Sequence, residues 1–233
     1  MTVQDVLLKI DQRINKKATN DFDNIPVNEK VEAYNKAQLQ VVTSIISPKD
    51  VLRQGAESTT RRTDDLKMLI VDEPHQLTVT KKDRYYITNS FPDDYFQYWS
   101  SESVAFTSTC KKKIIRNIER EESSIHLTLR NDTMNPSFLW AETPITLVKD
   151  KMKVWTDNKF GIKSVYLTYM IIPPPIDAVG YFKENGSPSV NIDPILPDNI
   201  VEMCIDRASV IIQGDIGNQA GVQVAQLNAS NDE

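Results

Sequence analysis

Val165-Tyr166-Leu167-Thr168-Tyr169-Met170-Ile171-Ile172 runs directly into Pro173-Pro174-Pro175. Val165, Leu167, Tyr169 and Ile171 recur at every second residue, the spacing that lines one face of a strand. The prolines end it, because proline has no amide hydrogen to give a ladder and stiffens the chain's exit. This is the last strand the pattern supports, so what lies on either side of it decides the fold class.

Upstream, period two persists back to Gln76. Leu77 and Val79 alternate with threonines; Val104, Phe106, Ser108 and Cys110 share one face; Ile125, Leu127 and Leu129 share another, against His126, Thr128 and Arg130. Ile145 and Leu147, then Met152 and Val154, continue the pattern, with turn residues Asp157-Asn158 and Phe160-Gly161 before the final strand. Before Gln76 the period is helical. Val3, Val6, Leu7, Ile10 and Ile14 form one stripe, with Thr2 and Asp5 as a capping pair. A second stripe, Val31, Tyr34, Ala37, Val41 and Ile45, follows the polar turn at Asp21–Pro26, and the two helices are expected to pack as an antiparallel pair. Ser47-Pro48-Lys49-Asp50 has the cap chemistry of a short third helix ending near Gly55.

Downstream of the prolines, helix returns at Pro197-Asp198, with Asp198 as the expected N-cap, Ile200, Cys204, Ala208 and Ile211 as its stripe and Gly214 as its stop. That stripe needs covering, and the N-terminal helices offer the nearest apolar surface. The expected fold is α+β: a helical domain formed by N- and C-terminal segments, 1–72 and 191–214, with an inserted, mostly antiparallel β domain, sandwich or barrel, over 73–190. The Asn- and Gln-rich segment 215–233 is expected to be a tail that orders on assembly.

A chain of 233 residues and 26.5 kDa can bury a core without staples. Its 40% hydrophobic and 25% charged residues, with no apolar run approaching a bilayer span, predict a water-soluble globular protein. The N-terminus has no basic region followed by an apolar one, so synthesis in a cytoplasm is expected. A net charge of −5 and a pI of about 5.2 disfavour a coat for duplex nucleic acid, which needs a cationic surface. Cys110 and Cys204 lack the spacing of a metal or redox pair and read as free thiols.

No catalytic or metal-binding constellation emerges, and no cofactor is expected. His75 and His126 have no nucleophile motif beside them, so surface positions are favoured over acid–base chemistry. Asp21, Asp23 and Glu32 have calcium-loop spacing, yet Ile25 and Pro26 stand where a ligand and the turn glycine belong. Gly214, Gly217 and Gly221 follow no strand and precede no Gly-Lys-Ser/Thr, which rules against a phosphate loop. Lys111, Lys112 and Lys113 precede a run carrying Glu119, Glu121 and Glu122. The run reads as a solvated hairpin edge or, in a ring, as charges that set the register between neighbours.

Phe91-Pro92-Asp93-Asp94-Tyr95 is a turn by its proline and aspartates. It also resembles the Leu/Phe-Pro-x-Asp-Phe/Tyr signature of phage head-to-tail adaptors of the tail tubular protein A type, with Phe91, Pro92, Asp94 and Tyr95 on the signature positions. Val165–Pro173 is similar to that family's closing strand, and Leu196-Pro197-Asp198-Asn199-Ile200-Val201 through Gly214 to its C-terminal helix. The Asn28–Ile46 helix is similar in style to ring proteins of crAss-like phages. The resemblance implies a non-enzymatic virion subunit of the neck or tail. Twelve copies would form a ring that extends the portal channel, binds the portal and the downstream tail proteins, and lets DNA pass without sequence-specific contact. Ile216, Val222, Val224 and Leu227 would then dock the tail against the portal or a neighbour. Another virion ring, a tail hub or a minor capsid subunit shares these features, and an enzyme without a recognisable motif is the alternative from a different class.

Overall fold

The computed structural model describes residues 1–15, 25–46, 64–108, 112–183 and 186–216. The expected short helix at 48–55, most of the Asp21–Pro26 turn, Cys110, Lys111 and the segment from Gly217 onward lie outside the described residues. The chain divides into two compact units, Met1–Leu69 with Pro173–Glu233, and Ile70–Ile172. The architecture is α+β with an inserted, closed β-barrel.

In the first unit, α1 (Val3–Asn15), α2 (Val27–Ile46) and α4 (Asp198–Asp215) carry the helical stripes. Thr2 and Asp5 cap α1 reciprocally: the Asp5 amide donates to Thr2 Oγ1 at 3.3 Å and the Thr2 amide to Asp5 Oδ2 at 3.1 Å. The bonds from Thr2 are the main reason the Asp5 carboxyl is held below its usual range. α1 and α2 meet directly through the Lys30 ammonium and the Asp11 carboxylate, at 2.6 Å, but each packs chiefly on α4. The reason is the width of the α4 apolar face: Ile200, Cys204 and Ala208 are buried together with Val201, Ile205 and Ile212, enough for two partners.

Helix α1 runs parallel to α4. Lys9 pairs with Glu202, Arg13 Nε with Asp206 Oδ1 at 2.5 Å, and the Met1 ammonium with Asp198 at 2.9 Å, so positions rise together along both helices. Asp198 is therefore not the cap: Pro197 holds that position, and the Asp198 carboxylate accepts from the Met1 ammonium ahead of α1 instead. The segment after the prolines, expected with the β domain, groups with the helices, since the Asn35 side chain of α2 bonds both the amide and the carbonyl of Ile176.

In the second unit seven strands close a barrel: β1 (His75–Lys81), β2 (Tyr85–Thr88), β3 (Tyr95–Phe106), β4 (Lys112–Glu119), β5 (Glu142–Val148), β6 (Lys151–Trp155) and β7 (Gly161–Ile171). The order around it is β1-β2-β6-β5-β4-β3-β7. β7, which ends at the prolines, is its spine, paired antiparallel with both β1 and β3. Among the described strands only β4 and β5 pair in parallel. A parallel pair needs a crossover that returns the chain to the same end.

The crossover corrects one expectation. Ile125–Arg130 is not a strand but the helix α3, entered through a 3-10 turn at Glu122–Ser124. Its buried side chains, Ile125, Thr128 and Leu129, follow helical spacing, while Leu127 is 61% exposed.

A second expectation is corrected in β3, which ends at Phe106. The face shared by Val104 and Phe106 points outward, and the inward face is Ser101, Ser103 and Ala105. Small side chains suit that wall because Asn117 from β4 reaches across to them: Ser103 Oγ donates to Asn117 Oδ1 at 2.7 Å, and Asn117 Nδ2 donates to Ser101 Oγ at 2.8 Å. The hydrophobic core of the barrel is led by Leu77, Ile115, Ile145, Met152, Val154 and Leu167.

Candidate functional site

The Phe91–Tyr95 signature lies at the start of β3, where the proline turn aims its side chains at the end of β7. The Tyr95 amide donates to the Pro92 carbonyl at 3.1 Å, closing the turn. Phe91 is buried, and its amide donates to the Asp150 carbonyl at 2.8 Å. The rings form a chain: Phe91 lies 4.6 Å from Tyr95, and Tyr95 5.7 Å from Tyr169, centroid to centroid. Asp94 completes the site, its carboxylate accepting from the Tyr169 hydroxyl at 2.8 Å and its backbone carbonyl from the Ile172 amide at 2.9 Å. Burial, with the bond to Asp94, pushes the Tyr169 phenol up to about 12. This arrangement is a latch. It ties the end of the spine strand, one residue before Pro173, to the first turn of β3.

Next to the latch, the Tyr98 hydroxyl sits 3.2 Å from Ser101 Oγ and so joins the Ser–Asn network inside the barrel. Burial raises its phenol above the ordinary range, so it stays neutral. The aromatic side chains at this end of the barrel are thus joined to polar partners by hydrogen bonds.

The charged residues named from sequence divide by location. The Lys113 ammonium donates to the carbonyls of Leu139 and Phe138, at 2.9 and 3.4 Å. Glu122 pairs with Lys153 of β6. Both are thereby engaged within their own barrel, so a role for them between subunits would compete with these contacts. Lys112, Glu119 and Glu121 are exposed. Glu119 and the start of β4 stand at opposite ends of that strand. Lys111 is outside the described residues.

Of the proposed docking residues, Ile216 closes α4, its amide donating to the Ile212 carbonyl at 3.0 Å, and is 39% exposed. Val222, Val224 and Leu227 lie outside the described residues. His75 is exposed at the start of β1, and His126 is exposed on α3 rather than on a strand. Among the described residues no three His, Cys, Asp or Glu gather as a metal site, and no helix is long and apolar enough to cross a membrane. Cys204 is buried beside Tyr34, and burial pushes its thiol up to about 12.

Two features escaped the sequence. One is the buried Asp177, whose carboxylate accepts from the Tyr181 hydroxyl at 2.7 Å, from Lys183 at 2.8 Å, and from the amides of Ala178 and Val190. Burial alone would raise its pKa, but these donors outweigh burial and hold it at about 2. It organises the loop after the prolines, and the only signal was an aspartate spaced four residues from a tyrosine and six from a lysine. The other is the adjacent pair Leu139 and Trp140, 82 and 79% exposed. Two large apolar residues following the turn-rich run Asn131–Ser137 are a readable sign of a surface contact.

No protein-family model matches the chain, and a search of curated proteins finds no match.

Proposed function

We propose that the chain is a structural subunit of a phage head-to-tail connector ring, extending the portal channel and docking tail components. The observation that carries the reading is the latch. The Phe-Pro-x-Asp-Tyr element and the closing strand, two independent points of resemblance, meet in one hydrogen-bonded structure through Asp94, Tyr95 and Tyr169. Motifs related only by chance have no reason to be each other's partners.

In this reading α1, α2 and α4 form one helical domain built from both chain ends, with the barrel as an insertion. A ring needs two different contact surfaces on each subunit. The exposed apolar end of the barrel and the segment after α4 supply two candidates, on different parts of the chain. The function is mechanical: the subunit holds a channel open, and a net charge of −5 suits a lining that does not retain passing DNA.

Negative-stain imaging of the purified chain, alone and mixed with the portal protein of the same genome, tests the proposal. A ring seated coaxially on the portal is expected. A chain that stays monomeric beside the portal and turns over small esters or phosphates would remove it in favour of an enzyme.

A further inference from the structure

The barrel end that carries the β3–β4 hairpin exposes an apolar surface: Phe106, Ile114, Leu139 and Trp140 are 41, 60, 82 and 79% exposed. They project from three adjacent backbone segments. Phe106 is in register with Lys112 two residues before Ile114. The lead-in to β5 lies along β4, with Lys113 bonded to the Leu139 carbonyl at 2.9 Å and the Arg116 amide to the Ala141 carbonyl at 2.8 Å. Exposed Lys112 and Lys163 stand near this surface, and the two carboxylates in register there, Glu102 and Glu142, are both opposite Arg116. Aromatic and aliphatic side chains within a polar rim are the composition of a protein interface, where a few buried anchors carry most of the binding.

We propose that this patch receives residues 217–233 of a second copy of the chain. That stretch of sequence has Val222, Val224 and Leu227 for the apolar centre, contains no lysine or arginine, and carries Asp232 and Glu233 for the lysine rim. Fully extended, residues 217–233 reach roughly 55 Å from Ile216, far enough to arrive at another molecule. An anionic lipid surface is the weaker occupant, because a chain of net charge −5 is repelled by it at long range. Patch and segment are different surfaces, so the contact is heterologous: each copy gives its segment to one neighbour and its patch to the other. The inference rests on the ring reading for that head-to-tail geometry, and it assigns the segment to a neighbour rather than to the portal.

Two full-length variants test it by sedimentation velocity, each first shown by circular dichroism to be folded. One carries Ile114→Lys with Trp140→Lys and keeps its segment; the other carries Val224→Asp with Leu227→Asp and keeps its patch. The wild-type chain should associate, and each variant alone should need about tenfold or more higher concentration to do so, the loss expected when interface anchors are removed. An equimolar mixture of the two should form heterodimers, since one good patch and one good segment remain. A monomeric wild type, a variant that assembles like wild type, or a mixture that stays monomeric would overturn the proposal. So would phosphatidylserine vesicles that bind the wild type but not the patch variant while no association is seen. Association with this pattern but without portal capture would leave the contact standing and remove the neck reading.

Discussion

The Tyr169 hydroxyl donates to the Asp94 carboxylate at 2.8 Å, across 75 positions of sequence, and through this bond the last strand of the barrel is fastened to the turn that begins the third. Tyr169 is nearly buried whereas Asp94 is exposed, so the bond lies at the boundary between core and solvent. Tyr169→Phe keeps the ring and loses the donor. It should cost about 1 to 2 kcal/mol in urea unfolding. Tyr169→Ala should cost about 3 to 5 kcal/mol, because the buried ring goes too. Asp94→Ala in the Tyr169→Phe background should add little, and a fully additive double mutant would show that the two residues do not act as a pair.

How much was legible in the sequence depended on whether a local pattern or a distant partner decided the outcome. The period-two spacing of Leu77, Ile145, Met152 and Val165 was enough for the strands, and the Thr2–Asp5 pair for the start of α1, because each is settled within a few residues. Barrel closure was not legible. It follows from which strands pair, and β7 lies between β1 and β3, its partners far away in sequence. Asp198 failed as a cap for the same reason: a good local cap residue was claimed by the Met1 ammonium, 197 positions away. The signature at Phe91–Tyr95 was visible as a motif, but its partner Tyr169 gave no local sign of reaching back to it. Asp177 was invisible, since its donors are set by how the loop folds.

The crossover shows how two periods can coexist in six residues. Ile125, Leu127 and Leu129 satisfy a strand, and Ile125, Thr128 and Leu129 satisfy a helix; the burial of Thr128 and the exposure of Leu127 mark the second. The two readings differ at Leu127. Leu127→Asp should therefore change stability by less than about 0.5 kcal/mol, as exposed substitutions do, while Leu129→Ala should cost about 2 to 3 kcal/mol. Thermal or urea unfolding of the two variants checks this, and a large loss at Leu127 would restore the strand.

Phe106 and Gly161 are in register across β3 and β7, and the ring occupies the space above the glycine: a Cβ at 161 would lie 2.3 Å from the nearest ring carbon. Gly161→Ala must therefore push the ring aside. Because a ring on two rotatable bonds can move, the cost should be about 1 to 2 kcal/mol rather than a loss of fold. Phe106→Ala in the same chain should recover most of that loss, giving a coupling between the two sites of about 1 kcal/mol by urea unfolding. Additive effects would mean that the ring does not depend on the glycine.

Asp177 predicts a pH dependence. Its carboxyl is held at about 2 in the folded chain against an ordinary value of 3.8, so the folded state binds the proton less readily than the unfolded chain does. The resulting stabilisation is complete above the ordinary value and is lost as pH falls from about 4 through 2. Asp177→Asn keeps the shape but gives up the charge that Lys183 and Tyr181 bond to. The substitution should cost about 2 to 3 kcal/mol at pH 7. Much of that difference should vanish by pH 2, where the wild-type carboxyl is itself half protonated. Urea midpoints of both proteins at pH 7, 4 and 2 measure the effect. A gap that stays constant across this range would mean that the cost arises from packing around the loop, and that the charge on Asp177 contributes nothing to holding Tyr181 and Lys183 in place.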